Sequence, residues 1–228
     1  MTSKKCIHKT KNKDNTNPVF ILLCARKSNN RGYKNVPLTP VRDKDFLIDI
    51  QIKTIRKKYK NSEIIIISGF EHNRLIEHIK FKKYENIRIA ENKNYKNSNT
   101  LDGWKFALNI ALKCDTYIIH ADRIFDISCI NMNKNTYVVS HNIDKSNYNL
   151  GILVSENKLV NMSYGLPNVW SEIFFISEHD FDKTRDVINS KHKKIYNIET
   201  FINELSQIID ILVIEVETKD IKPLKEIQ

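Results

Sequence analysis

The sequence predicts an α/β fold: a doubly wound, three-layer α/β/α sheet followed by a strand-rich second half. Three observations predict it. Val19–Ala25 (VFILLCA) and Glu63–Ser68 (EIIIIS) are short, nearly unbroken apolar runs, as expected of strands buried on both faces. Segments with apolar residues at helical spacing lie between such runs, at βαβ lengths that favour right-handed crossovers. From about Thr136 onward the chain changes to shorter strands joined by turns.

The elements follow in order. After the first strand comes a polar stretch, Arg26–Asn35, whose one glycine is Gly32. Pro37-Leu38-Thr39-Pro40-Val41 is then held extended by its two prolines. Asp45 is the expected N-cap of a helix in which Ile48, Ile52, Ile55 and Tyr59 share a face. Gly69 closes the second strand. A short helix with Leu75, Ile76 and Ile79 on one side and a third strand, Ile87–Ala90, come next. Asn92–Thr100 is polar and loop-like. Trp104, Ala107, Leu108, Ala111 and Leu112 recur as the stripe of an amphipathic helix. A fourth strand, Thr116–His120, leads into Ala121-Asp122-Arg123-Ile124-Phe125-Asp126. In the second half, Thr136–Ser140, Leu150–Ser155, Lys158–Met162 and Val169–Ile176 read as strands, with Asn157 in a hairpin turn. Helices are expected over Phe181–Asn189 and Ile198–Ile209, a late strand over Ile211–Val216 and a terminal helix from Lys219.

Composition bounds the partners. The 228 residues are 41% hydrophobic, enough for a sizeable core. Residues 1–17 read as a basic flexible tail and 18–228 as one domain. The net charge of +10 favours polyanions in principle. The lysines are scattered, however, and Lys, Asn and Ile dominate while Gly and Pro number 5 each. That is the drift of AT-rich coding, so a nucleic-acid partner is not expected. The four cysteines form no Cys-x-x-Cys pair or zinc spacing, and Cys24, Cys114 and Cys129 read as core residues. There is no apolar stretch in Met1–Asn17 to serve as a signal peptide and no run long enough to span a membrane. The expected location is the cytoplasm; a homo-oligomer is left open. Walker, Gly-x-Ser-x-Gly and His-Glu-x-x-His motifs are absent.

Doubly wound sheets bind ligands at the carboxyl ends of their strands. Several motifs fall there in a telling order. Pro37-Leu38-Thr39-Pro40-Val41 precedes Leu47-Ile48-Asp49-Ile50-Gln51; a strand ends at Gly69; Asn97–Gly103 leads to Trp104; Ala121–Asp126 follows a strand; and Glu215-Val216-Glu217-Thr218 stands near the end. In this order the segments resemble the sugar-phosphate nucleotidyltransferase family over roughly residues 19 to 222. The resemblance implies a mixed sheet of the nucleotide-diphospho-sugar transferase type. It also implies transfer of a nucleoside monophosphate from a nucleoside triphosphate to a sugar phosphate or similar phosphorylated small molecule, with Mg²⁺.

In such a reaction two anions must approach one another, and a divalent cation and fixed positive groups relieve the repulsion. The resemblance gives Asp122 and Glu217 the Mg²⁺ ligand roles, with Glu217 where the family more often has Asp. Arg31 and Lys34 take the catalytic cation roles. Ala25, Arg26, Lys27, Ser98, Asn99, Thr100 and Ala121 take substrate contacts. The chain departs from the family in its first loop, where the glycines are largely replaced, and before Pro37, where Val36 stands near the expected lysine. Asn29 or Asn30 tolerates the left-handed backbone a glycine would supply. Trp170 and Tyr164 are candidates to line the acceptor pocket, and His120 to touch the site. Two other readings remain beside the enzyme: a catalytically degenerate binding or assembly subunit, and a glycosyltransferase of the related fold. The second lacks the usual Asp-x-Asp after the fourth strand.

Overall fold

The computed structural model describes residues 17–27, 35–42, 45–130, 133–142, 149–190 and 197–223. The expected basic tail lies almost wholly outside the described residues, as do Arg31 and Lys34. The first half runs β1 (Val19–Cys24), β2 (Pro40–Arg42), β3 (Asp45–Phe46), α1 (Leu47–Lys58), β4 (Ile64–Ser68), α2 (His72–Lys82), β5 (Ile87–Glu91), α3 (Thr100–Ile110) and β6 (Thr116–His120). The second half runs β7 (Arg123–Phe125), β8 (Tyr137–Asn142), β9 (Leu150–Ser155), β10 (Lys158–Tyr164), β11 (Asn168–Ile176), α4 (Phe181–Ser190), α5 (Ile198–Leu205), β12 (Leu212–Val216) and β13 (Ile221–Pro223).

The main sheet has the strand order β5-β4-β1-β6-β11-β8-β12-β10-β9. Strands β5, β4, β1 and β6 are mutually parallel, and β11 is antiparallel to β6 and β8. The alternation of side chains along a strand explains the unbroken apolar runs. In β1, Ile21 faces the core under α3, α4 and α5, while Phe20 and Leu22 face the core under α1 and α2. In β4, Ile65 and Ile67 take the first side and Ile64 and Ile66 the second. Each such fully buried side chain contributes roughly 1.5–3 kcal/mol, so the two faces together hold the three layers. Beyond β6 the sheet curls. β9 pairs with both β10 and β11, so β11, β8, β12, β10 and β9 close into a ring.

Three local expectations are corrected. Asp45 does not cap α1; it lies in β3, and Phe46 takes the cap position. The Asp49 carboxylate accepts from the Phe46 N–H at 2.9 Å, serving the free helix end from inside the first turn. Asp45 instead pairs with Lys53 and Lys82. Helix α3 begins four residues before Trp104 and stops at Ile110, leaving Leu112 exposed. Among the described residues no helix starts at Lys219: Thr218–Asp220 forms a single 3₁₀ turn, and β13 pairs with β7. The burial of Ile221 in the α1-side core outweighs the local helical pattern.

Gly69, at the end of β4, lets three segments approach. A Cβ there would meet the Ala25 carbonyl oxygen and the Tyr95 Cβ, each at 2.7 Å. The following residue, Phe70, donates its N–H to that same Ala25 carbonyl at 2.9 Å. The first loop is thereby held against the end of β4.

Candidate active site

Because β1, β4, β5 and β6 run parallel, their carboxyl ends share one edge of the sheet. An open cleft of about 1010 Å³ lies there, between that edge and the strand-rich second half. Ala25, Arg26, Lys27, Ser98, Asn99, Thr100, Ala121 and Asp122 all line it. The sequence-predicted contacts from three separate segments therefore converge on one space.

The nearer wall is polar and cationic. The Arg26 guanidinium donates to Thr100 Oγ1 at 3.3 Å, tying the first loop to the start of α3. The Lys27 ammonium sits 5.4 Å over the Phe70 ring. The backbone of Lys27 pairs with that of Asn35 in an isolated antiparallel bridge. Asn99 caps α3, accepting from the Asp102 N–H at 2.9 Å, while its own N–H donates to Asp102 at 2.8 Å. Capping and cleft lining are thus met by one residue. The first turn of α3 brings backbone N–H groups and the positive end of the helix dipole to this wall, a setting that suits phosphate. Across the cleft stand Tyr164 and Trp170. Trp170 is also a core residue, edge-on to Trp104 and 5.7 Å from the His120 ring.

At the base is a turn, His120 to Arg123, with Asp122 in its third position. A carboxylate from β11 grips both ends of this turn. Glu172 Oε2 lies 2.9 Å from His120 Nδ1, and Glu172 Oε1 accepts from Arg123 Nη2 at 2.6 Å. Glu172 reaches that place through a bulge. From the pair Trp170–Ser140 to the pair Phe174–Val138, β11 advances four residues while β8 advances two. Within the bulge Glu172 takes a left-handed backbone, φ 58°. That conformation costs a non-glycine residue on the order of 1–2 kcal/mol, and strain of this kind concentrates at functional sites.

Burial, together with the neighbouring Glu172 carboxylate, pushes the Asp122 carboxyl above its usual range. Burial acts the same way on Glu172, but His120 and Arg123 outweigh it and hold its carboxyl well below that range. His120, Asp122 and Glu172 each offer one ligand atom, all within 4.8 Å of one another. His120 Nε2 and Asp122 Oδ1 are buried without a hydrogen-bond partner among the described residues, the latter lying 3.6 Å from Arg123 Nε. One or two carboxylates are what Mg²⁺ commonly takes from protein. A histidine whose other ring nitrogen is held by a carboxylate is arranged as metal-bound histidines are. The donor set fits a divalent cation.

Glu217, the second ligand the sequence pointed to, does not join this group. It follows β12, its side chain is 70% exposed, and its carboxylate pairs with Lys219 at 2.5 Å. The acid that meets Asp122 is Glu172. Sequence reasoning missed it, although one signal was there: a lone charge inside the apolar run VWSEIFFI.

No protein-family model matches the chain, and no curated protein matches it. Comparison with solved structures does place the fold: it is that of the nucleotidyltransferases that act on sugar phosphates and related molecules, matched over about 90% of the chain. The CTP:phosphocholine cytidylyltransferase LicC from Streptococcus pneumoniae superposes with a TM-score of 0.74 at 17% identity, covering 90% of this chain and 93% of that one. The nucleoside-diphosphate-sugar pyrophosphorylase from Vibrio cholerae RC9 gives 0.71 at 10% identity, covering 90% and 95%. The inositol-1-phosphate CTP transferase from T. maritima gives 0.68 at 12%, covering 88% and 86%.

Proposed function

We propose that this protein transfers a nucleotidyl group from a nucleoside triphosphate, CTP first among them, to a small phosphorylated acceptor. The observation that carries this reading is the convergence of the first loop, the start of α3 and the Asp122 turn on one strand-end cleft. CTP leads because two of the structurally similar proteins are named as CTP-dependent. Arg26 and Lys27, with Arg31 and Lys34 on the loop between them and Asn35, neutralise the triphosphate. Ser98, Asn99 and Thr100 hold the nucleotide at the start of α3. Tyr164 and Trp170 form the wall against which the acceptor lies. Asp122 and Glu172 would hold Mg²⁺, which offsets phosphate charge when bound, with His120 fixed beside them by Glu172. The acceptor phosphate oxygen bonds to the α-phosphorus, and the bond to the pyrophosphate oxygen breaks. The cytoplasm, which supplies nucleoside triphosphates, is the setting this reading requires.

A second reading, a subunit that binds nucleotide without turning it over, is favoured by one observation: Glu217 faces Lys219 and not the cleft. A panel of nucleoside triphosphates, each with and without Mg²⁺, separates the readings when followed by thermal shift and then by pyrophosphate release with phosphocholine, inositol 1-phosphate or a sugar 1-phosphate. Stabilisation by one triphosphate together with release supports the enzyme. Stabilisation without release by any acceptor supports the binding subunit. No response to any triphosphate rejects both.

A further inference from the structure

Behind the Asp122 turn, on the side away from the cleft, stands a side chain the reaction does not use. Gln51 projects from α1 and is 1% exposed. Its neighbours on the helix, Ile48, Ile52 and Ile55, pack into the α1-side core. Gln51 instead turns its amide to the turn. Nε2 donates to the His120 carbonyl at 3.0 Å and to the Arg123 carbonyl at 2.8 Å. Both hydrogens of one amide nitrogen are thereby spent on the first and last residues of the four that carry Asp122. These are the two residues whose side chains Glu172 grips.

The amide is retained at a cost. Gln51 Oε1 is buried and has no hydrogen-bond partner among the described residues. A buried acceptor left unmet is unfavourable. A side chain kept for packing alone would be better served by an apolar group of the same length. The expense is explained if the N–H groups hold something in place.

We infer that Gln51 is a positioning residue for Asp122: it fixes the turn from behind so that the carboxylate faces the cleft without rearranging when a metal–nucleotide complex arrives. This inference rests on the proposed function. Gln51 touches neither nucleotide nor acceptor, so its effect passes through the backbone of the turn. Preorganisation of this kind shows as a change in the metal requirement, since a loosely held carboxylate must be ordered on binding.

The test compares three proteins: the wild type, Gln51→Met, which keeps length and loses both donors, and Ile52→Val, which trims the adjacent core residue without touching the turn. For each, the Mg²⁺ concentration giving half-maximal stabilisation by CTP, or by whichever triphosphate stabilises the wild type, is read by thermal shift. The melting temperature without ligand is read alongside. We expect Gln51→Met to need at least tenfold more Mg²⁺ while Ile52→Val needs no more than the wild type. Should Gln51→Met fail to fold, Gln51→Glu, which keeps the shape and loses the donors when ionised, is read in its place. An unchanged Mg²⁺ requirement in the Gln51 variant overturns the inference and leaves the proposed function standing. A requirement that rises equally in Ile52→Val overturns it as well, because loss of stability would then account for the change. A wild type that responds to no triphosphate overturns both.

Discussion

The two halves of the molecule bring different things to the cleft. The first half is regular. Its strands β1 and β4 are apolar, mutually parallel and buried, and they deliver loop ends and helix starts to a common edge. The second half is a ring whose strands are not the shorter ones the sequence suggested, β11 reaching nine residues, and it breaks its own regularity. Glu172 takes positive φ within strand β11, and β11 bulges beside the site. The regular half supplies the cations and backbone N–H groups suited to phosphate. The irregular half supplies the acid that meets Asp122 and the aromatic wall opposite. The scaffold follows from periodicity, and the chemistry depends on where periodicity fails.

The largest effect is expected where the halves meet in the core. Trp104 of α3 is fully buried and edge-on to Trp170 and Phe174 of β11 and to Phe201 of α5. Trp104→Ala should cost about 3–5 kcal/mol, roughly 10 °C in melting temperature for a chain of this size. A loss near 2 °C by calorimetry would mean that the halves are not packed through this residue.

Next in size is the contrast between the two acids. Glu172→Gln removes the charge that holds His120 and Arg123, whereas Glu217→Gln removes one that faces Lys219. The first substitution should weaken Mg²⁺-dependent triphosphate binding at least about tenfold, or roughly 1.4 kcal/mol, and the second by less than about twofold. Titration calorimetry with Mg·CTP checks both. The opposite ranking would return the ligand role to Glu217.

A smaller difference isolates the strained backbone. Neither Glu172→Gly nor Glu172→Ala keeps the carboxylate, and only glycine adopts φ 58° freely. The glycine variant should be more stable than the alanine variant by about 1 kcal/mol in urea denaturation. Equal stability would indicate that the bulge relaxes once the carboxylate is gone.

The smallest effect belongs to the hairpin between β9 and β10. Ser155 pairs with Lys158, leaving Glu156 and Asn157 as a two-residue loop, both with positive φ. That is the pattern of a type I′ turn, in which Asn outperforms Glu. Glu156→Asn should stabilise by under about 1 kcal/mol, and a destabilisation would contradict the turn assignment.

How far the sequence could be read follows the same division. VFILLC and IIIIS announced buried strands because both faces of a parallel sheet are covered, and nothing distant was needed to interpret them. Ser98–Thr100 and Ala121–Asp122 were legible as candidate contact segments, and both line the cleft. Glu172 was not, because its role depends on a bulge that only pairing with β6 and β8 defines. Gln51 was hidden for a related reason. Helical spacing shows that it neighbours the buried face, but not that two carbonyls from residues 120 and 123 wait there. Strand β13 escaped because its partner, β7, lies about a hundred residues earlier in the chain.

The central claim is that Asp122 makes the cleft a magnesium–triphosphate site. Its most direct measurement is the affinity for CTP, with Mg²⁺ present and absent, of the wild type and Asp122→Asn. The account predicts that Mg²⁺ tightens binding to the wild type and that the substitution abolishes that gain, weakening Mg·CTP binding by roughly 100-fold. Equal binding by the two proteins in the presence of Mg²⁺ would contradict it.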